Sequence, residues 1–217
     1  MYAKHWDIHQ RPEPKTILVN NFKYFYPERP RLLHVNQPLF ESLSQSPAWV
    51  AEPKYNGSRL QLHVIDGAFH FWNRHQEPLV YTPSREVLDS LRSLDLKGYW
   101  LFDGEMRHNK TKGIKHQAVL YDVFIANGEL LNAKPFWWRR QIMAGIKGLF
   151  VGDEETVSLT HQYQDRFKEA FDGLITRDEI EGLVIKNLQG RLNLGRTRAT
   201  DSTWMWKVRK PSNRYHF

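Results

Sequence analysis

The stretch that decides the fold is Glu52-Pro53-Lys54-Tyr55-Asn56-Gly57-Ser58-Arg59-Leu60. The apolar run Trp49-Val50-Ala51 leads into it, and beyond it Leu60, Leu62 and Val64 alternate with Arg59, Gln61 and His63. This pattern predicts two strands joined at Gly57, with Lys54 held at a strand end facing a cleft. Lys54 is the candidate nucleophile. A lysine attacks only as the free amine, so its ordinary pKa of about 10.4 has to be lowered by cations, a metal or desolvation. Arg59 and cations further along the chain could supply that field. On these residues alone, a solvated lysine beside an Asn-Gly turn is the commoner reading.

Working outward, Asp66-Gly67 makes a turn and Phe69-His70-Phe71-Trp72 returns, a hairpin that puts Arg59 on the face opposite the leucines. The polar loop Asn73 to Glu77 then brings Arg74 back toward Lys54. Upstream, residues 1–36 are polar and broken by Pro12, Pro14, Pro27 and Pro30, and are expected to form an N-terminal wrap with little regular structure. Residues 37–217 form the main domain. Pro38 opens a short helix with Leu39, Phe40 and Leu43 on one face, and Ser84 caps another carrying Val87, Leu88, Leu91 and Leu94.

Downstream, Tyr99 to Phe102 reads as a strand running into Asp103-Gly104-Glu105, which places two carboxylates at a strand end. Such carboxylates suit a sugar hydroxyl or a hard cation. Val119 to Ile125 is a buried strand closed by Asn127-Gly128, with Tyr121 in its middle. Helices are expected from Pro135 through Met143 and over Asp165 to Phe171, with a short strand, Thr156 to Leu159, between them. Glu181 to Lys186 and Trp204 to Lys210 supply the last strands, with Trp204 and Trp206 as packing residues. Basic stretches lie at Lys110 to Lys115 and Arg191 to Arg198. The elements sum to an α+β fold of antiparallel sheets flanked by helices.

At 217 residues the chain has room for one substantial core. A composition 41% hydrophobic and 13% aromatic argues against disorder over most of the length. There is no cysteine, which excludes disulfides and thiolate metal sites, and no apolar run is long enough to span a membrane. Met1 to Asp7 carries no signal-peptide pattern, so a cytoplasmic protein without a membrane partner is expected. The net charge of +7 favours a polyanionic partner, above all nucleic acid.

In order, the chain runs lysine and glycine turn, Asp-Gly-Glu, a tyrosine-bearing strand, Glu-Gly-Leu-Val-Ile-Lys and a terminal Trp-Lys-Val-Arg strand. This order resembles the covalent nucleotidyltransferase superfamily of ATP-dependent DNA ligases, RNA ligases and mRNA capping enzymes. Lys54-Tyr55-Asn56-Gly57 is similar to its KxDG nucleotidyl-lysine motif. The resemblance covers roughly residues 30–211, is strongest to the adenylation domain of small phage-type DNA ligases, and implies an ATP-grasp-like domain with the nucleotide cleft between its sheets.

The resemblance implies that Lys54 attacks ATP to form lysyl-AMP, with Mg2+ as the metal and nicked duplex DNA as the partner of a monomeric enzyme. It implies that Glu52 reads the adenine amino group, that Arg59 contacts the nucleotide and the 5′-phosphate, and that Arg74 belongs to the nucleotide-binding set. Glu105 would bind the ribose, Tyr121 would stack on adenine, Glu181 would hold the metal, and Lys186 and Lys207 would bind phosphates.

Three departures from the family pattern stand out. Asn56 replaces the usual aspartate, Arg209 replaces the second lysine of the last motif, and this chain carries no OB domain after that motif. RNA ligase and GTP-using capping enzyme share the motifs, although Glu52 favours ATP. A non-catalytic nucleic-acid-binding relative is the reading from another class.

Overall fold

The computed structural model describes residues 24–108, 116–152, 155–195 and 197–211. The apolar run at 17–19, Phe22, Lys23, the lysines at 110, 112 and 115, and Arg196 lie outside the described residues.

Two sheets carry the architecture. The first has four strands in the order β1 (Arg29–Leu32), β11 (Asp201–Arg209), β10 (Ile180–Asn187), β2 (Trp49–Tyr55). The second runs β4 (Ala68–Trp72), β3 (Ser58–Ile65), β5 (Tyr99–Arg107), β6 (Gln117–Ala126), β9 (Val157–Leu159), β8 (Phe150–Val151), with β7 (Glu129–Leu130) pairing β6. The expected antiparallel pairings form the centre of each sheet, and parallel pairings join β1 to β11, β9 to β6 and β8 to β9.

β2 and β3 are consecutive, separated only by Asn56-Gly57, yet they belong to different sheets. The chain can cross there because residue 57 lacks a side chain: a Cβ on Gly57 would lie 2.6 Å from the Met106 carbonyl oxygen and 2.7 Å from Glu105 Cγ. The crossing delivers Lys54 to the gap between the sheets. The other turns follow their residues. Asp66-Gly67 and Asn127-Gly128 both have positive φ, the type I′ geometry that suits tight antiparallel hairpins.

Four helices pack on the sheets. α1 (Pro38–Ser44) and α4 (Phe167–Leu174) cover the four-stranded sheet, where Phe40, Leu43, Phe167 and Phe171 meet Leu183, Ile185 and Val208. α2 (Arg85–Ser93), capped by the Ser84 hydroxyl accepting from the Val87 N–H, and α3 (Phe136–Ala144) pack Val87, Leu91, Ile142 and Met143 against Leu60, Leu62, Phe102 and Leu120.

Two expectations change. Residues 29–32, read as irregular wrap, form β1, because their backbone pairs with the edge of β11. Asp103-Gly104-Glu105 lies inside β5 rather than beyond its end. Gln61 and His63, which alternate with the leucines of β3, are buried as well. Gln61 clips the Phe25 backbone, accepting its N–H at 2.9 Å and donating to its carbonyl at 2.5 Å, while His63 meets the Tyr99 hydroxyl at 3.0 Å. The segment before β1 thus covers the second face of β3, and Tyr26 anchors it by exchanging two backbone hydrogen bonds of 2.8 Å with Gly195.

Candidate active site

A cavity of about 220 Å³ opens between the two sheets. The four-stranded sheet contributes Glu52, Lys54, Lys186, Lys207 and Arg209; the seven-stranded sheet contributes Arg59, Asp103, Glu105 and Tyr121. It leads into a wider outer cavity of about 1100 Å³, whose walls include Arg74, His75 and Glu181. Lys54, Arg59, Glu105 and Arg209 line both.

Two β-bulges aim side chains into this space. In the β5–β6 ladder Asp103 faces Asp122 and Gly104 faces Leu120, so Tyr121 is an extra residue with no partner across the ladder. In the β10–β2 ladder Ile180 faces Tyr55 and Gly182 faces Lys54, so Glu181 is the extra residue. A bulge bends its strand and redirects the side chain it carries. Gly182 permits the second one: its φ is +146°, and a Cβ there would lie 1.9 Å from the Val208 carbonyl oxygen.

At the reactive end, Lys54 Nζ donates to Glu181 Oε2 at 2.5 Å, and Arg209 Nη2 lies 3.8 Å from the same oxygen. Lys207 adds to the positive field. Burial first, then the charges of Arg209, Lys54 and Arg29, push its pKa below the usual lysine value. Asn56 is half-buried, and its backbone N–H donates to the Glu179 carbonyl at 2.8 Å.

At the other end, Glu52 is buried and fully engaged: Oε2 pairs with Lys186 Nζ at 2.6 Å, and Oε1 accepts from Gln162 Nε2 at 2.8 Å. Lys186 also donates to the Tyr121 carbonyl at 3.3 Å and sits 5.1 Å from the Tyr121 ring centroid. It lies four residues along β10 from Gly182, about 13 Å at strand rise. Its charge is matched inside the protein by Glu52.

Between the two ends, Arg59 forks onto Asp103 through Nε to Oδ1 at 2.6 Å and through Nη2 to Oδ2, with its guanidinium 5.2 Å from the Tyr121 ring centroid. Burial opposes the charge on Arg59, but Asp103, Tyr121 and Tyr24 outweigh it and hold the pKa well above the usual arginine value. Glu105 sits directly across the ladder from Arg59.

The two-sheet architecture is similar to that of solved structures. The chain superposes on mycobacterial DNA ligase D solved with ATP with a TM-score of 0.64 at 16% identity, covering 87% of this chain and 61% of that one. It superposes on the ATP-dependent DNA ligase of bacteriophage T7, also with ATP, with a TM-score of 0.52 at 14% identity, covering 84% and 68%. The chain shares the fold of these DNA ligase structures.

Sequence similarity points the same way. The domain is 25% identical to DNA ligase 3 of Dictyostelium discoideum over 72% of this chain, and 27% identical to the DNA ligase of Variola virus over 68% of it. It spans 16% and 30% of the lengths of those relatives. The sequence matches no protein-family model.

The cleft therefore brings together most of the residues the sequence singles out, sorted between an inner and an outer space. Arg74 stands on the outer wall, with Nε donating to the His75 ring at 3.3 Å. Sequence reasoning missed Gln162, the partner that holds Glu52, and the pairing of Asp103 with Arg59. The carboxylate of Asp103 was noticed, but its register with Arg59 is fixed only by the β3–β5 ladder.

Among the described residues no group of three or more His, Asp or Glu side chains could hold a metal. Magnesium is usually bound through one or two carboxylates together with substrate phosphates and water, so it does not require such a cluster. Glu105 and Glu181 line the outer cavity, together with Glu28 and Asp201. Among the described residues no helix is long and apolar enough to cross a membrane.

Proposed function

We propose that this domain carries the adenylation chemistry of an ATP-dependent DNA ligase, acting as a monomer in the cytoplasm on nicked duplex DNA. The observation that carries the reading is the position of Lys54: its amine lies where the inner and outer cavities meet, against Glu181 and within the field of Lys207 and Arg209.

In this reading the base of ATP lies toward Glu52 and Tyr121, the ribose toward Glu105, and the triphosphate toward Lys54, Lys207 and Arg209. The Lys54 amine, having lost its proton, attacks the α-phosphorus. An N–P bond forms, the P–O bond to the β-phosphate breaks, and pyrophosphate departs with the electron pair. AMP then passes to the 5′-phosphate at the nick, and the 3′-hydroxyl displaces it to close the strand. A magnesium ion brought with the triphosphate, held by Glu181, would supply charge neutralisation. Phosphoryl transfer depends more on positioned cations than on covalent acid-base work, and the site has that character.

The test is incubation with labelled ATP or GTP and magnesium, followed by denaturing gels. ATP should give an acid-labile adduct, GTP much less, and Lys54→Ala none while its circular dichroism is unchanged. Undiminished labelling of Lys54→Ala would overturn the mechanism.

A further inference from the structure

Arg139 is fully buried on α3, behind the cavity rather than in it. Its guanidinium forks onto Asp122, Nε to Oδ1 at 2.7 Å and Nη2 to Oδ2 at 2.8 Å, while Nη1 donates to the carbonyls of Lys134 at 2.8 Å and Gly190 at 3.2 Å. It also lies 5.5 Å from the ring centroids of both Phe136 and Trp204. A buried ion pair of this kind is weak evidence for stability, since an apolar pair of similar volume often does as well or better. What this one joins is informative. Asp122 follows the bulged Tyr121, Trp204 belongs to the opposite sheet, and Gly190 precedes Leu192 and Asn193; Asp122, Trp204, Leu192 and Asn193 all line the inner cavity.

We infer that Arg139 is a positioning residue for nucleotide binding: through Asp122 it fixes the bulge that turns Tyr121 into the cavity, and through Trp204 and Gly190 it sets the facing wall. The bulge removes Tyr121 from the ladder, and its neighbourhood is held by other means. Asp122 Oδ1 accepts the Val123 N–H at 2.8 Å as well as Arg139, and Lys186 takes the Tyr121 carbonyl. The fork matters as much as the charge. Two parallel N–H···O bonds fix the plane of the Asp122 carboxylate, which a lysine ammonium, a point donor, cannot do.

The inference rests on the proposed use of the inner cavity for ATP, and the experiment separates the two. ATP affinity is measured by titration calorimetry, independently of lysine labelling, for the wild type, Arg139→Lys, and the double variant Arg139→Met with Asp122→Leu. Thermal melts accompany each. Arg139→Lys keeps the charge and leaves Asp122 intact, and its Kd for ATP should rise at least fivefold while adduct still forms at saturating ATP. The double variant should melt within a few degrees of the wild type, yet bind ATP at least tenfold more weakly. A purely structural pair would instead return affinity together with stability.

An Arg139→Lys protein that binds ATP within twofold of the wild type overturns the inference, whether or not the double variant folds. Wild-type protein that binds ATP without forming an adduct overturns the ligase reading alone, and the comparison of affinities still decides the role of Arg139. Wild-type protein that binds no ATP overturns both.

Discussion

Lys54 and Glu181 meet across the β2–β10 ladder, Nζ to Oε2 at 2.5 Å, because the bulge at Glu181 turns its carboxylate toward the neighbouring strand. Their side chains are 21% and 23% exposed, so the pair is partly screened and is worth on the order of 1 kcal/mol to the fold. In the proposed reaction its larger effect is on chemistry. Glu181→Gln should slow adduct formation at least tenfold and raise the magnesium concentration needed for half-maximal rate, with a melting temperature close to wild type. Initial labelling rates across a magnesium series check this, and a wild-type profile would remove Glu181 from the reaction.

Arg59 and Asp103 give a pH dependence with two opposite signs. Burial pushes the Asp103 carboxyl up to about 6, against the pull of Arg59. As pH falls below that value Arg59 loses its charged partner, so adduct formation should decline between about pH 7 and 5, and Asp103→Asn should flatten that limb while lowering the rate at neutral pH. Stability moves the other way. Because the folded pKa lies above the unfolded value of about 3.9, the folded state binds the proton more readily between about pH 4 and 6, and this group's contribution to stability rises as pH falls through that window. Urea titrations of wild type and Asp103→Asn at pH 5 and 7 test the second sign.

Gly182→Ala places a methyl 1.9 Å from the Val208 carbonyl oxygen at a backbone φ of +146°. The obstruction is backbone, which cannot swing aside as a side chain can. The substitution should cost about 3 kcal/mol or more and disturb the adjacent Glu181 bulge. A loss below about 1 kcal/mol in chemical denaturation would show that β10 and β11 separate more easily than their spacing implies.

Arg74 lines the outer cavity, whereas Glu52, Tyr121 and Lys186 line the inner one. If the outer cavity takes the nucleic-acid backbone, Arg74→Ala should weaken binding to nicked duplex at every salt concentration and reduce the slope of log K against log salt by about 1. ATP labelling without DNA should change little. Binding isotherms between 50 and 200 mM salt, about the range over which such contacts are most visible, distinguish this from loss of the nucleotide site.

Much of this site is legible in the sequence because its strands carry plain signals. Val119 to Ile125 and Glu181 to Lys186 are apolar runs, and the alternation after Gly57 announces β3. The bulges at Tyr121 and Glu181 are not legible, since a strand buried on both faces has no alternation to slip out of phase. Nor is the burial of Gln61 and His63: polar letters on alternate positions read as a solvent face until the Phe25 backbone is laid over them. Lys186 illustrates a different limit. A lysine closing an apolar strand reads as a free charge, and only the pairing of β10 with β2 supplies Glu52 as its partner. β1 escaped notice because Arg29-Pro30-Arg31-Leu32 has no periodic apolar face, and it is a strand by virtue of its neighbour.

That neighbour sets an order in time. β1 lies near the start of the described residues, and among them it pairs only with β11, near their end. During synthesis the chain emerges N-terminus first, so residues 29–32 remain without their pairing strand until residues 201–209 have left the ribosome. The seven-stranded sheet needs nothing beyond β9 and can assemble earlier. The four-stranded sheet closes last, and with it come Lys207 and Arg209. Contacts so distant in sequence form slowly, after the local ones. A nascent chain stalled before residue 201 would therefore already carry Lys54 and Tyr121 but lack β11, the strand that sets Lys207 and Arg209 beside them in the cavity.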